Sequence, residues 1–146
     1  MGNFPARIAE DVRYLAKKTI GHVFLSEGFH AEGEVHLLGA DIGGQLNCNG
    51  ATFSNPKGKA LNADGLKTTG GIFLRNIHAE GEVHLLGADI GGNLECTGAT
   101  FKNPEGKAFS ADGLKTTGSI FLRNIHAEGE VRLLGAAQIG LGRYGG

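Results

Sequence analysis

The stretch Gly33-Glu34-Val35-His36-Leu37-Leu38-Gly39-Ala40-Asp41-Ile42-Gly43 decides how this chain folds, because the chain repeats it. It returns unchanged at residues 81–91, and its first half returns at residues 129–135 with arginine in place of the histidine. Around it, residues 29–76 and 77–124 form two copies of a 48-residue repeat that differ at nine positions. A repeat of this length is typical of stacked-repeat proteins, in which each unit buries its apolar face against its neighbours.

A shorter period of 11 residues lies inside the 48-residue repeat. The segment that starts at Val35 aligns with the segment that starts at Leu46, and each has apolar or small residues at its first, third, sixth and eighth positions. Alternation by two predicts strands with one buried face. Four such segments and four extra residues within Ser54–Gly58 complete the repeat, and the composition of this insertion predicts a surface loop.

The fifth position of each segment predicts a corner. It holds glycine or asparagine, the residue types that adopt a positive φ at the lowest cost, so we expect the backbone to turn there through the left-handed region. The predicted corners are Gly39, Gly50, Gly65, Asn76, Gly87, Gly98, Gly113, Asn124 and Gly135.

Two segments make one coil of about 22 residues with four short sides, which predicts an all-β, right-handed parallel β-solenoid of quadrilateral section. Ten segments give about five coils, and strand spacing gives a height of roughly 24 Å. Large inward residues align with small ones two segments later, such as Leu37 with Ala63, as close packing requires.

These segments resemble a known family. Ala40-Asp41-Ile42-Gly43-Gly44 and Ala51-Thr52-Phe53-Ser54-Asn55 resemble the A-(D/N)-(L/F)-x-x units of pentapeptide-repeat proteins, and the resemblance covers roughly residues 23–139. It implies a right-handed quadrilateral β-helix. That family runs in uninterrupted fives, whereas each segment here holds two fives and one further residue. The chain also resembles repeat regions of bacterial proteins sometimes named membrane-associated oxidoreductases, although it contains no redox motif.

The ends of the chain differ from the repeats. Ile8, Val12 and Leu15 have helical spacing and Pro5 suits a first turn, so residues 3–20 predict a helix that caps the open core within an N-terminal region of residues 1–21. The solenoid is expected over residues 22–139, with a partial third repeat at 125–139. Residues 140–146 are expected to form a C-terminal tail.

Composition limits the classes of function. The net charge of −1 argues against nucleic-acid binding through a basic surface. The sequence contains no run of 18 apolar residues, so we expect no membrane-spanning helix. The N-terminus shows no hydrophobic signal core, so the cytoplasm is the expected location.

Histidine and glutamate form the main cluster of candidate chemistry. Spacing by two places these side chains on the outer face, and Thr52 or Thr100 separates the histidines of successive copies. A metal site needs ligands that converge to about 2.0–2.2 Å from the ion. We therefore interpret the cluster as a solvated polar face, ahead of metal binding and catalysis, and expect no metal, cofactor or catalytic residue. Its members are His30, Glu32, Glu34, His36, His78, Glu80, Glu82, His84, His126, Glu128 and Glu130.

The two cysteines, Cys48 and Cys96, occupy the same inward position two coils apart, at a separation of about 10 Å. That distance is too long for a disulfide. We expect both to act as small core residues.

The pattern favours a structural or protein-interaction repeat module that is not an enzyme. One alternative, which the family resemblance implies, is a DNA-mimicking protein that binds a type II topoisomerase. Another is part of a β-helical enzyme. We also expect a homo-oligomer formed through the C-terminal end, as a twofold dimer or an open polymer, unless the tail folds back and seals that end. The apolar residues expected at the contact are Val131, Leu133, Leu134 and Ile139.

Overall fold

A computed structural model describes residues 7–8, 18–26 and 28–138, and within them every regular element is a strand. These residues therefore contain no helix that is long and apolar enough to cross a membrane. The strands are β1 (Arg7–Ile8), β2 (Lys18–Thr19), β3 (Val23–Phe24), β4 (His30–Glu32), β5 (Val35–His36), β6 (Asp41–Ile42), β7 (Leu46–Asn47), β8 (Thr52–Asn62), β9 (Lys67–Thr68), β10 (Ile72–Phe73), β11 (His78–His84), β12 (Asp89–Ile90), β13 (Leu94–Glu95), β14 (Thr100–Ser110), β15 (Lys115–Thr116), β16 (Ile120–Phe121), β17 (His126–Arg132) and β18 (Ala137–Gln138).

The strands stack into three parallel sheets, in which neighbouring strands come from successive coils. The seven-stranded sheet has the order β1-β4-β8-β11-β14-β17, with β5 also paired to β8. The five-stranded sheet has the order β3-β7-β10-β13-β16, and the six-stranded sheet has the order β2-β6-β9-β12-β15-β18. This arrangement confirms an all-β parallel solenoid of about five coils. The seven-stranded sheet carries two of the four predicted sides, because the long strands β8, β11, β14 and β17 pass from one side to the next.

The coils alternate in length. In the five-stranded sheet Leu46 pairs with Ile72, Ile72 with Leu94, and Leu94 with Ile120, so the steps along the chain are 26, 22 and 26 residues. The longer coils are those that contain the insertion. One coil of each length makes up the 48-residue repeat.

The insertion, which was predicted to be a surface loop, is part of one continuous strand. It is a wide bulge in the continuous strand β8, because Ser54 pairs with Glu80 and Lys59 with Glu82, which leaves residues 55–58 opposite Gly81 alone. The Asn55 side-chain amide donates a 2.9 Å hydrogen bond to the Lys59 carbonyl oxygen and closes the bulge. Strand β14 forms the corresponding bulge in the second repeat, where Asn103 donates to the Lys107 carbonyl oxygen at 2.8 Å.

All nine predicted corners have a positive φ, between 54° and 74°, and the two asparagines adopt it as the glycines do. This confirms the predicted corners. A second set of positive φ values, which was not predicted from the sequence, occurs at Gly28, Gly33, Gly81 and Gly129. Gly81 has a φ of 111°, and a Cβ atom there would collide with the Asn55 carbonyl oxygen and lie 2.9 Å from the Gly58 carbonyl oxygen. Glycine is therefore needed where the bulge crosses the next strand.

Two inward rows alternate large and small side chains from coil to coil, as predicted, whereas the row of Leu46, Ile72 and Leu94 is large throughout. Hydrogen bonds place Leu37, Ala63, Leu85, Ala111 and Leu133 in one inward row, in which alanines separate the leucines. Strand pairing likewise places Phe53 and Phe101 between alanines. Close packing along the axis explains why the two segments of one coil differ in residue size.

The helix predicted over residues 3–20 lies mostly outside the described residues. Five residues of that stretch are described, and four of them are strand instead: β1 pairs with β4, and β2 pairs with β6. Thr19 is 8% exposed and aligns with Ile42 of the next coil, so this part of the stretch extends the solenoid core. Residues 139–146, which comprise Ile139 and the predicted tail, also lie outside the described residues.

Candidate functional site

The histidine and glutamate cluster lies on the outer face of the seven-stranded sheet. Strand pairing aligns His30, Thr52, His78, Thr100 and His126 in one row along the solenoid axis. Threonine therefore separates successive histidines, as the sequence predicts, and the histidines of different copies do not meet.

Each histidine of this row contacts the glutamate two residues later. The shortest distances between Nε2 and a carboxylate oxygen are 3.3 Å for His30 and Glu32, 3.5 Å for His78 and Glu80, and 3.3 Å for His126 and Glu128. The side chains are between 36% and 68% exposed, so these contacts contribute little to stability. Within the described part of the chain, no three histidine, cysteine, aspartate or glutamate side chains are placed to hold a metal ion.

His84 departs from the predicted solvated face, because it is only 7% exposed. Its Nε2 atom lies 2.5 Å from a Glu82 carboxylate oxygen. Its Nδ1 atom is buried 3.4 Å from an Asp64 carboxylate oxygen, with no hydrogen bond to it. Strand pairing places Asn62 and Ser110 on its two sides, and this packing excludes solvent from the ring.

Arg132 replaces this histidine in the third copy. It donates hydrogen bonds of 3.1 Å to Asp112 and 3.3 Å to Glu130. Partial burial raises the pKa of Asp112, but hydrogen bonds from the Leu134 amide and Arg132, and the positive charges of Arg132 and Lys107, outweigh it and lower the pKa below its ordinary value.

The outer charges alternate in sign along the axis. In the six-stranded sheet the outward row is Lys18, Asp41, Lys67, Asp89 and Lys115, all exposed. In the seven-stranded sheet Glu80 and Glu128 align with Lys102 between them, and Lys107 aligns with Glu130. These rows place cations between carboxylates, except that Ser54 lies between Glu32 and Glu80, and they form no continuous acidic surface.

The two cysteines are buried and free, and they align with Leu74 between them. Burial raises the pKa of Cys48 to about 12. Burial, together with the negative charge of Glu95, also raises the pKa of Cys96. Both thiols therefore remain protonated at neutral pH and lack the thiolate that redox or nucleophilic chemistry requires.

A groove of about 230 Å³ lies between the two bulges, and the sequence analysis missed it. Its residues are Pro56 and Pro104 from the bulges, Glu80 from β11, and Lys102 and Asn103 from β14. The signal in the sequence was the repeated Asn-Pro-x-Gly motif at a spacing of 48 residues, which places two identical protrusions two coils apart. Glu80 and Lys102 are register partners, so their opposite charges lie side by side.

The C-terminal end of the described solenoid has an open edge. Strand β17 pairs with β14 on one side and with no described strand on the other. Val131 is 36% exposed and Leu134 is 65% exposed, whereas Leu133 is partly buried against the core. Three of the four residues predicted for self-association therefore lie at this end, and the fourth, Ile139, is outside the described residues.

The chain matches no protein-family model, no curated protein and no solved structure.

Proposed function

We propose that this chain is a structural and protein-interaction repeat module, without catalytic activity of its own, that associates through its C-terminal end. The observation that carries the proposal is the edge of β17, where exposed apolar side chains lie beside a strand with one unpaired side among the described residues. Such an edge combines hydrophobic area with free backbone donors and acceptors, and both favour pairing with another chain.

The first occupant we propose is a second copy of the chain. Exposed leucines occur at the corresponding corner in the first and third repeats, where Leu38 is 49% exposed and Leu134 is 65% exposed. Leu134 follows β17, which pairs only with β14 among the described strands, and Leu38 follows β5, which pairs only with β8 at the opposite end of the solenoid. A contact between the C-terminal ends of two copies would bury Leu134 and Val131 together, whereas Leu38, near the opposite end of the solenoid, would remain exposed.

Sedimentation analysis across a concentration series tests this proposal. We expect the mass to rise with concentration, and we expect Leu134→Lys to shift the association to higher concentrations by at least about tenfold, because a buried apolar contact is replaced by a charge. Leu38→Lys is the matched control and should associate as the unaltered chain does. A monomeric mass at high micromolar concentration would show that the end does not bind a second copy.

The pentapeptide-repeat resemblance suggests the second candidate, a DNA mimic that binds a type II topoisomerase. A mimic of this kind needs a dominant acidic face. The alternating rows favour the interaction module, because Lys67 lies between Asp41 and Asp89, and Lys102 lies between Glu80 and Glu128.

A β-helical enzyme is the third candidate. The groove between the bulges offers one carboxylate, from Glu80, and one amine, from Lys102, as its titratable groups. An acid and base pair in a cleft would support catalysis. Here, however, Glu80 and Lys102 belong to a row of alternating charges that continues to Glu128. The same arrangement on an open surface favours a structural role.

A further inference from the structure

Strands β11 and β17 carry the same sequence, His-Ala-Glu-Gly-Glu-Val, at six of their seven positions, and differ only at His84 and Arg132. Strand β11 pairs with β8 on one side and β14 on the other, whereas β17 pairs only with β14 among the described strands. The edge of β11 that faces β14 thus corresponds to the open edge of β17. Within the chain, the strand that occupies the corresponding edge of β11 is β14.

Strand β14 complements β11 in size. Phe101 aligns with Ala79, and Phe109 aligns with Val83, on the inward side. Both phenylalanines are fully buried, and their ring centroids lie 4.8 Å apart. On the open edge of β17 the corresponding positions are Ala127 and Val131, and both are exposed. A strand with large apolar residues at the two inward positions would fill the same space.

Strand β14 also complements β11 in charge. Lys102 aligns with Glu80 on the outer side, and the four-residue bulge follows it. Glu128 of β17 corresponds to Glu80, and its side chain is 44% exposed. Arg132, the residue that differs, binds Asp112 and Glu130 and lies beyond the bulge. Glu128 contacts His126 at 3.3 Å and aligns with Lys102 on the β14 side, so a cation on the other side would add a second cross-strand pair.

From this correspondence we infer that the open edge of β17 accepts a parallel β-strand of basic character, with a lysine or arginine beside Glu128 and large apolar residues beside Ala127 and Val131. The inference rests on the proposed function, since it names the partner of the same end. Backbone hydrogen bonds would supply affinity, and the apolar and cationic side chains would supply selectivity.

The charge pattern distinguishes such a strand from a second copy. Two copies of β17 that paired antiparallel about Gly129 would place Glu128 of one chain opposite Glu130 of the other, and like charges in that arrangement repel. Salt should therefore strengthen an association between copies, and weaken the binding of a cationic strand.

A synthetic peptide with the sequence of residues 99–111, blocked at both ends, tests the inference on the full chain. Fluorescence anisotropy of the peptide measures its binding. We expect the binding to be saturable at chain concentrations below those at which the chain self-associates. A peptide with Lys102→Glu should bind about tenfold more weakly, because the attractive pair with Glu128 becomes a repulsive one. A scrambled peptide of the same composition is the control for nonspecific charge attraction.

The matched chain variant is Glu128→Gln with Glu130→Gln, whose fold is checked by circular dichroism. This variant should bind the unaltered peptide and the glutamate-substituted peptide with affinities within about twofold of each other. The unaltered chain should bind the unaltered peptide more tightly. Equal binding of the two peptides by the unaltered chain, or no binding of either, would overturn the inference. If neither result favours the inference but the chain still self-associates, the proposed function stands and only the inference fails. If the chain is also monomeric, the proposed function and the inference both fail.

Discussion

Strands β11 and β17 share six of seven residues and yet differ almost completely in burial. In β11, Ala79, Val83 and His84 are buried, whereas in β17 the corresponding Ala127 and Val131 are exposed. The difference follows from the neighbours, because β11 lies between two strands and β17 pairs with one.

The comparison shows that burial in a solenoid is set by position in the stack as much as by sequence. A residue of the first or second repeat gains its contacts from coils on both sides, which is the one-dimensional energetics of repeat proteins. Equivalent substitutions in the second and third copies should therefore have unequal effects.

The largest expected effect is that of Leu85→Ala. Leu85 is fully buried between coils that present Ala63 and Ala111, so its truncation leaves a cavity that these small neighbours cannot fill. We expect a loss of about 2–5 kcal/mol in the free energy of unfolding, measured by chemical denaturation. Leu133→Ala, at the equivalent position of the third copy, should cost less than half as much, because Leu133 is only partly buried. Equal losses would mean that the end is covered.

The second effect concerns the glycine that faces each bulge. Gly81→Ala forces a residue with a Cβ atom into a φ of 111° and into the carbonyl oxygens of Asn55 and Gly58. We expect a loss of about 1–3 kcal/mol from the backbone alone, measured by thermal and chemical denaturation. Gly129→Ala has a comparable φ of 120° but lies on the edge strand, which can move away, so its cost should be smaller. A larger loss at Gly129 would contradict this interpretation of the open edge.

The third effect is a pH dependence specific to the third copy, where Arg132 replaces histidine. The Leu134 amide and Arg132 lower the pKa of Asp112 in the folded state, so this group stabilises the fold above its unfolded-state pKa of about 4. That stability is lost as the pH falls through the lower, folded-state pKa. We expect Asp112→Asn to reduce the dependence of the melting temperature on pH below about pH 4. An identical pH profile in the variant would show that Asp112 is not involved.

The smallest effect should follow from changes to the outer face. His78→Ala together with Glu80→Ala removes two side chains that are 47% and 40% exposed and lie 3.5 Å apart at their nearest atoms. We expect the free energy of unfolding to change by no more than about 0.5 kcal/mol. The matched pair His126→Ala and Glu128→Ala, in β17, should be equally silent. If either double variant destabilised the chain more than Leu85→Ala, the inward and outward register would be wrong.

The core and the corners could be predicted from sequence because two independent patterns agreed. Alternation by two indicated which residues face inward, and Gly39, Asn76 and their equivalents marked the turns. A near-identical repeat then fixed which segments stack, since large residues such as Leu37 had to meet small ones such as Ala63.

The bulge and its glycine could not be predicted from the same patterns. Gly81 interrupts the alternation between Glu80 and Glu82 and signals an irregular strand, but the partner that requires it lies 26 residues earlier, at Asn55. The burial of His84 was missed for a similar reason, because its surroundings come from Asp64, Asn62 and Ser110 on neighbouring coils.

The described residues of the N-terminal stretch follow the solenoid pattern and not the helical spacing. Ile8, Val12 and Leu15 indicated a helix, yet Lys18-Thr19 carries the same residue pair as Lys67-Thr68 and Lys115-Thr116. In all three places the lysine faces out and the threonine is buried in the six-stranded sheet. The repeated pair was the better guide, since it joins residues 18 and 19 to a known strand position.

The alternation of 22-residue and 26-residue coils also makes the gene unusually tolerant of length change. Recombination between the two nearly identical copies would add or remove 48 residues, which is two complete coils, and would shift the stack by about 9.6 Å. The row of Leu37, Ala63 and Leu85 would still alternate large with small, and the row of Asp41, Lys67 and Asp89 would still alternate in sign. An exchange of any other length would place Leu37 over Leu85 or one bulge over the next, so the unit of inheritance is a pair of coils.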